Sequence, residues 1–464
     1  MNTRIEHDLL GDLAVPADAW YGIQTQRALD NFSITGVPIS HFPALIRALA
    51  MVKSAAARAN RDLGALASHK ADAIIAACDD IIAGELHDQF VVDLIQGGAG
   101  TSTNMNANEV IANLALAKLG HDRGAYQHLH PNDDVNRCQS TNDAYPTAVC
   151  LAIQFAAEPL EQTILRLKAS LEAKGREFAD FVKMGRTQMQ DAVPMTLGQE
   201  FEAFAVNLGE DIDRLHEASR LLCEVNLGGT AIGTGINSHP QYQALAVKYL
   251  AQISGKPIVS ATNLVEATSD MGAFVLFSGI LKRFAIKLGK MCNDLRLLSS
   301  GPRTGLAEIR LPPMQPGSSI MPGKVNPVIP EAVNQTAYQV IASDLAVTLA
   351  AEAGQLQLNA MEPLIVYNLL NAMKMLESAC AMLDERCIQG IQANAEQCAR
   401  HVDNCIGIVT ALVPHIGYAN ATRIAAEALN SGSTVRELVL AEGLLADAEL
   451  DRLLSPRSMI AVAS

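Results

Sequence analysis

Residues Gly317-Ser318-Ser319-Ile320-Met321-Pro322-Gly323-Lys324-Val325-Asn326-Pro327 place two adjacent hydroxyls, one cation and one amide in a single short string. Its two prolines and two glycines break any helix or strand, so the string is a loop. Backbone N–H groups of a glycine-containing loop, together with a lysine and hydroxyl donors, suit a carboxylate or an oxyanion. Long apolar helical stretches flank the string and present it from a rigid scaffold.

Four other strings interrupt an apolar background. Gly97-Gly98-Ala99-Gly100-Thr101-Ser102-Thr103-Asn104-Met105-Asn106 is either an anion cradle or a plain turn before a helix. Asn136-Arg137-Cys138-Gln139-Ser140-Thr141-Asn142-Asp143 sets uncharged hydrogen-bonding groups before a long helix, which suits both an N-cap cluster and an anion site. Gly185-Arg186-Thr187-Gln188-Met189-Gln190-Asp191-Ala192-Val193-Pro194 reads as a polar loop between long helices. Gly228-Gly229-Thr230-Ala231-Ile232-Gly233-Thr234-Gly235-Ile236-Asn237 is no dinucleotide fingerprint, because no strand and no βαβ unit precede it. The lone His130 reads as a structural or surface residue against a functional alternative. No HExxH or Cys/His spacing points to a catalytic zinc.

The elements that must position these groups are helices. The chain has 464 residues, 49% hydrophobic, 18% charged and only 4% aromatic, which favours close-packed helices around a large core. Phe274, Phe277, Leu281, Phe284, Leu288, Met291, Leu295 and Leu298 recur at steps of three and four, so residues 271–300 form a bundle helix. A second stripe of Leu276, Ile280, Ile286 and Leu297 widens its apolar face beyond what one neighbour covers, which suggests a bundle shared between subunits. Further long helices are expected at 148–178, with a bend at Pro159, and at 200–226, 331–357 and 363–394. Ser433-Thr434-Val435-Arg436-Glu437 resembles a capped helix start. The expected fold is all-α: an N-terminal helical domain at 1–138, a central long-helix bundle at 139–394, and a small C-terminal helical domain at 395–464.

The net charge is −14, without basic runs, which argues against nucleic acid or an anionic membrane as partner. An anionic substrate must be drawn by local donors. The nine cysteines include no CxxC pair and read as reduced core thiols of a cytosolic protein. The N-terminal residues lack the apolar core of a signal peptide, and no uncharged apolar stretch reaches the ~20 residues of a membrane span. A soluble, cytoplasmic protein is expected.

Together the strings resemble the fumarase/aspartase superfamily over essentially the whole chain, with 317–327 similar to its signature loop and 139–143 and 185–191 in the expected order. The opening Arg4-Ile5-Glu6-His7-Asp8-Leu9-Leu10-Gly11 is similar to aspartate ammonia-lyases. So are Gln139-Ser140-Thr141-Asn142-Asp143-Ala144-Tyr145-Pro146 and Ala351-Glu352-Ala353-Gly354-Gln355-Leu356-Gln357-Leu358-Asn359. Fumarases place a histidine after Gly-Arg-Thr, whereas aspartases carry histidine or glutamine there; this chain has Gln188. His130 before Pro-Asn-Asp and Gly323 are both common in fumarases, but neither lies at the point of chemistry.

The resemblance implies reversible anti elimination of ammonia from L-aspartate to give fumarate, through a doubly charged aci-carboxylate. It implies Ser318 as general base, acting as an alkoxide stabilised by the loop N–H groups and Lys324. It carries Thr101, Ser140, Thr141 and Ser319 onto the carboxylate that gains charge, and Thr187, Lys324 and Asn326 onto the α-carboxylate. Asn142 and Gln188 fall to the α-amino group. It also implies a homotetramer with a twenty-helix core and active sites shared between three subunits. No organic cofactor is implied, and some bacterial members respond to divalent cations. Arg186 reads equally as an inter-subunit ion-pair residue. The nearest rival is a class II fumarase; a scaffolding protein on the same fold, as lens crystallins are, is disfavoured by the intact Ser318, Lys324 and Asn326.

Overall fold

The computed structural model describes residues 2–454 and residue 458. Met1 and the last part of the expected C-terminal domain, residues 455–457 and 459–464, lie outside them. The described residues are mostly helical, with eight short strands in four two-stranded sheets. The elements used below are hairpin β1 (Thr3–Asp8) and β2 (Gly11–Pro16), α1 (Pro43–Asp62), α2 (Thr101–Lys118), α3 (Thr141–Glu177), hairpin β3 (Val182–Thr187) and β4 (Gln190–Thr196), and α4 (Leu197–Leu221). They continue with α5 (Gly272–Leu298), α6 (Val328–Glu352), α7 (Glu362–Arg386), α8 (Ala395–Asn404) and α9 (Val435–Ala441).

All eight residues of the first α5 stripe are buried. In the second stripe, Leu276 and Ile286 are 46% and 52% exposed, so one chain leaves part of that apolar face uncovered. Helix α6 does the same with Leu345 and Leu349, each 60% exposed. The five expected long helices are present with shifted ends. Helix α3 starts seven residues before the expected 148, because Ser140 caps it and Thr141 is already helical. Pro146 and Pro159 both lie inside it and neither ends it.

The chain divides into two compact units, residues 1–161, 212–283 and 339–376 in the first and 162–211, 284–338 and 377–464 in the second. In the first, α1 packs on its neighbouring helices through an almost wholly buried, alanine-rich face. In the second, short helices between Val402 and Leu453 close a core of their own, to which Met184 of β3 contributes. This explains why a C-terminal segment of short helices holds together.

None of the four strand pairs was expected, and one of them, the parallel pair of Glu224–Val225 with Val259–Ser260, puts a strand directly before the 228–237 string, read as having no strand ahead of it. The stretch 185–194, read as a loop, is most of the β3–β4 hairpin, and the N-terminal residues form the β1–β2 hairpin. The β3–β4 turn consists of Gln188 and Met189, both with positive φ (54° and 64°). That is the twist a two-residue hairpin turn needs, usually delivered by Asn-Gly, which is why the sequence hid it. An irregularity between Met184 and Arg186 sets Gly185 alone against Ala192 and Val193, and a Cβ on Gly185 would lie 2.9 Å from the Val193 carbonyl oxygen.

The capped start at 433–437 is a full capping box: the Thr434 hydroxyl accepts from the Glu437 N–H, and the Thr434 N–H donates to the Glu437 carboxylate. Thr434→Ala should lower stability by about 1 kcal/mol in denaturant unfolding; an unchanged midpoint would show that the cap contributes nothing.

Candidate active site

In the first unit, the glycine run delivers the chain to α2. Gly98, Ala99 and Gly100 take φ values of 84°, 53° and 87°, a left-handed run that the two glycines adopt freely and Ala99 only at a cost. Gly100 is doubly constrained, since a Cβ there would lie 2.5 Å from the Tyr145 ring. Thr101 follows as the first residue of α2, exposed, with its hydroxyl donating to the Gly98 carbonyl at 2.7 Å. The turn-before-helix reading of this string therefore holds, and it sets a hydroxyl at a helix N-terminus.

The string 136–143 does the same for α3. The Ser140 hydroxyl accepts the Asn142 N–H at 3.3 Å, and the Ser140 N–H donates to Asp143 at 2.8 Å. Asp143 is fully buried, and its other carboxylate oxygen accepts the N–H groups of Gly228 and Thr230 at 2.9 and 3.0 Å. Burial pushes its pKa up, against the pull of those N–H donors and of Lys53. The Asn142 amide donates to the Ala231 carbonyl, and Asn226 donates to the Asn142 carbonyl. The glycine–threonine string 228–237 is thus a brace for the α3 start. Thr141 accepts a hydrogen bond from Asn104 at 3.2 Å. Thr101, Ser140, Thr141 and Asn142 accordingly share one region made of two helix N-termini, where N–H groups and helix dipoles favour an anion.

His130 is a cap. Its Nδ1 accepts the N–H groups of Asn132 and Asp133, as the structural reading held. All nine cysteines are free, and eight are buried.

In the second unit, Thr187 and Gln188 sit exposed at the β3–β4 tip. Arg186 makes an ion pair within its own chain, to Glu308 at 2.8 Å, where the sequence left an inter-subunit role open. Glu308 is fully buried and also holds Lys183 at 3.0 Å and His401 of α8 at 2.9 Å. Burial alone would raise the Glu308 pKa; Lys183, His401 and Arg186 outweigh it and hold the carboxyl below its usual range. Nothing in the motif strings marked Glu308. The available signal was a lone acid in the apolar run Leu306-Ala307-Glu308-Ile309.

The signature loop closes on itself. The Gly317 N–H donates to the Lys324 carbonyl at 2.7 Å, and the Asn326 amide donates to the Gly317 carbonyl at 2.9 Å. A Cβ on Gly317 would lie 2.6 Å from that Lys324 oxygen. Asn326 is therefore first a clasp at the loop base, with one amide N–H left over. The Ser318 hydroxyl oxygen accepts two backbone N–H groups, from Ile320 at 3.2 Å and Met321 at 3.0 Å. Ser319 and Lys324 are exposed, and the Lys324 ammonium has no partner among the described residues. The six candidate residues of this unit occupy two segments, the hairpin tip and the loop.

Residues 11–342 match the family model described as Lyase, and residues 408–461 match that described as Fumarase C C-terminus. Aspartate ammonia-lyase of Pseudomonas aeruginosa is 65% identical over 461 residues, 99% of this chain and 97% of that protein. Its counterpart in Escherichia coli K12 is 54% identical over 460 residues, covering 99% and 96%. Among solved structures, a fumarate lyase:delta crystallin from Brucella melitensis bound to cobalt is 61% identical with a TM-score of 0.96, covering 98% of this chain and 99% of its own. A class II fumarase from Schistosoma mansoni has a TM-score of 0.94 at 34% identity, over the whole of both chains.

Because the folded-state pKa of Glu308 lies below its ordinary 4.5, its contribution to stability is complete above that value and is lost as pH falls through the folded-state pKa. Thermal unfolding of Glu308→Gln should show a lower midpoint at pH 7, by an amount equivalent to about 3 kcal/mol, and a flatter decline below pH 4.5 than the parent. Parallel pH profiles would show that the Glu308 charge does not hold the hairpin.

Proposed function

The chain belongs to the lyase family that includes fumarases and aspartate ammonia-lyases, and we infer that it removes ammonia reversibly from L-aspartate to give fumarate. It is a carbon–nitrogen lyase. The observation that carries this is full-length identity of 54% to 65% to aspartate ammonia-lyases of several bacteria, against 34% to a fumarase of the same fold.

The mechanism follows from what the reaction demands. The hard step is removing a proton from Cβ, which only the adjacent carboxylate activates, and the electron pair left behind gives that carboxylate a second negative charge. Donors that tighten as this charge grows accelerate the step, whereas donors that grip substrate equally do not. Thr101, Ser140, Thr141 and Ser319 are the hydroxyls for that carboxylate, Thr101 by turning its proton from the Gly98 carbonyl to the substrate. Lys324, Thr187 and the remaining Asn326 N–H bind the α-carboxylate, and Asn142 and Gln188 the amino group. Ser318 takes the Cβ proton. Its two backbone N–H donors favour the alkoxide over the hydroxyl, and the unpaired Lys324 adds positive charge to the same loop.

When the C–N bond breaks, its electrons leave with nitrogen and the –NH3+ group departs as neutral ammonia. No proton need be supplied to the leaving group, which a neutral amide at 188 could not provide. Expulsion of water from a neutral alcohol does need one. After elimination the Ser318 hydroxyl passes its proton to the departing ammonia or to solvent, which restores the alkoxide, and no cofactor is proposed. We assign a cytoplasmic location on the nine unpaired cysteines; no helix of the described residues is long and apolar enough to cross a membrane.

The uncovered apolar faces of α5 and α6 support a homotetramer with shared active sites. Leu345→Arg should shift sedimentation toward smaller species with loss of activity. A parent that is already monomeric, or a variant that stays tetrameric, would remove this support.

Fumarate absorbance should fall when the protein is given fumarate with ammonium and stay constant without it; loss in both would mark a fumarase. Ser318→Ala should lower kcat by about 10²–10⁴-fold. Gln188→Ala with unchanged kinetics would remove residue 188 from the site.

A further inference from the structure

Lys53 lies in the middle of α1, in the run Ala50-Met51-Val52-Lys53-Ser54-Ala55, and none of it is exposed. An interior lysine survives only when its donors are all used. Its Nζ donates to three amide oxygens: Asn104 Oδ1 at 2.6 Å, Asn136 Oδ1 at 2.9 Å and Gln139 Oε1 at 2.9 Å. Three acceptors match the three N–H bonds of an ammonium, whereas an amine would turn a lone pair on one of the oxygens. None of the three is a carboxylate, so the charge is solvated by neutral dipoles rather than cancelled by an ion pair. Asp143, the acid that acts on it electrostatically, is occupied by three backbone N–H groups. Burial lowers the Lys53 pKa to about 7, the cost of keeping this cation inside.

The contact with Asn104 sets a direction. With its oxygen on Lys53, the Asn104 amide must turn its N–H groups the other way, since a reversed amide would set NH2 against the ammonium. Those N–H groups reach Asn136 Oδ1 and Thr141 Oγ1, both at 3.2 Å. The Thr141 oxygen is thereby engaged as an acceptor, and its own proton is left to point elsewhere. Asn136 and Gln139 are locked by the same cation and by each other, the Asn136 amide donating to the Gln139 carbonyl. The segment leading into Ser140 is therefore held from behind.

We propose that Lys53 and Asn104 are positioning residues that fix the Thr141 hydroxyl as a donor to the substrate carboxylate on which the second negative charge develops. This rests on the reading of Thr141 given above. The hydrogen bonds run one way, from ammonium to amide, from amide to hydroxyl, and from hydroxyl to carboxylate. A one-way chain polarises each link in turn, so it strengthens as charge builds at its far end. The cation itself never meets the substrate.

The test uses the full-length protein and four variants, reading kcat and KM for L-aspartate. Lys53→Met strips three buried amides of their donor and can fail to fold, so it does not decide the matter. Asn104→Asp keeps an acceptor for Lys53 but loses the N–H toward Thr141; Asn104→Ala loses that N–H and one Lys53 acceptor without adding a negative charge, and serves if the aspartate compromises folding. The Asn104 variant should lower kcat by about 10- to 100-fold with a much smaller change in KM, read well below its own unfolding midpoint. Combined with Thr141→Val, it should be no slower than Thr141→Val alone, because both act through one hydroxyl. If Thr141→Val is impaired while the Asn104 variants keep parental kcat, or if the two losses multiply, the relay is overturned and the assignment of Thr141 stands. If Thr141→Val is itself unimpaired, both fall.

Discussion

Three backbone N–H groups converge on the buried carboxylate of Asp143, and the candidate residues of the first unit depend on that convergence. A carboxylate removed from water must be given donors, and these come from Ser140 at the start of α3 and from Gly228 and Thr230 in the brace. The brace supplies them only because its glycines accept left-handed and close-packed backbone: Gly228 has φ 95° with Gln243 against it, and Gly233 sits where a Cβ would meet the Leu264 backbone at 2.3 Å. The outcome is a helix N-terminus whose side chains at 140, 141 and 142 cannot drift. Glu308 does the corresponding work in the second unit with opposite chemistry. It gathers cations, Lys183 and Arg186, and so ties down the base of the hairpin whose tip carries Thr187 and Gln188.

Charge in this protein is used behind the site more than within it. The chain carries a net −14, and its dicarboxylate substrate gains another negative charge on the way to products. Among the assigned groups, Lys324 alone is cationic; the rest are hydroxyls, amides and helix ends. Neutral donors bind a ground-state carboxylate moderately and a dianion much better, which is the gradient catalysis needs. Lys53 fits the same economy of placement, as a cation kept behind two neutral groups.

How legible this was in the sequence differs by element. The α5 stripe was plain because a buried helix face must repeat at three and four residues, and the same arithmetic exposed the uncovered residues Leu276 and Ile286. The signature loop stood out because proline and glycine cannot be packing residues in such number. Gln139 to Asp143 were found, but only as an ambiguity, since a cap and an anion site use the same groups. The β3–β4 hairpin was missed because its turn is Gln-Met, against every turn preference, and is imposed by the strands on either side. Lys53 and Glu308 were missed for another reason. A single charged residue in an apolar run carries no periodic signal, and its partners lie 51 to 125 positions away along the chain (Asn104 for Lys53, Lys183 for Glu308). Such groups become visible only when the fold brings the partners together.

The choice of ammonia over water turns on the protonation state of the leaving group rather than on its size. An ammonium group leaves as a neutral molecule, and the site need only hold the –NH3+ by its protons, which amide oxygens of Asn142 and Gln188 can accept. A hydroxyl leaves well only if protonated, so a hydratase must place a titratable donor at that point. Gln188 has none to offer, and its position at a hairpin turn in left-handed backbone gives the side chain one defined departure from the strand pair. Arg186, two residues earlier, is committed to Glu308 and is not free to supply the proton. Under the proposed assignment, the hairpin tip of this chain offers a cation hydrogen-bond acceptors and no acid, which suits the departure of ammonia.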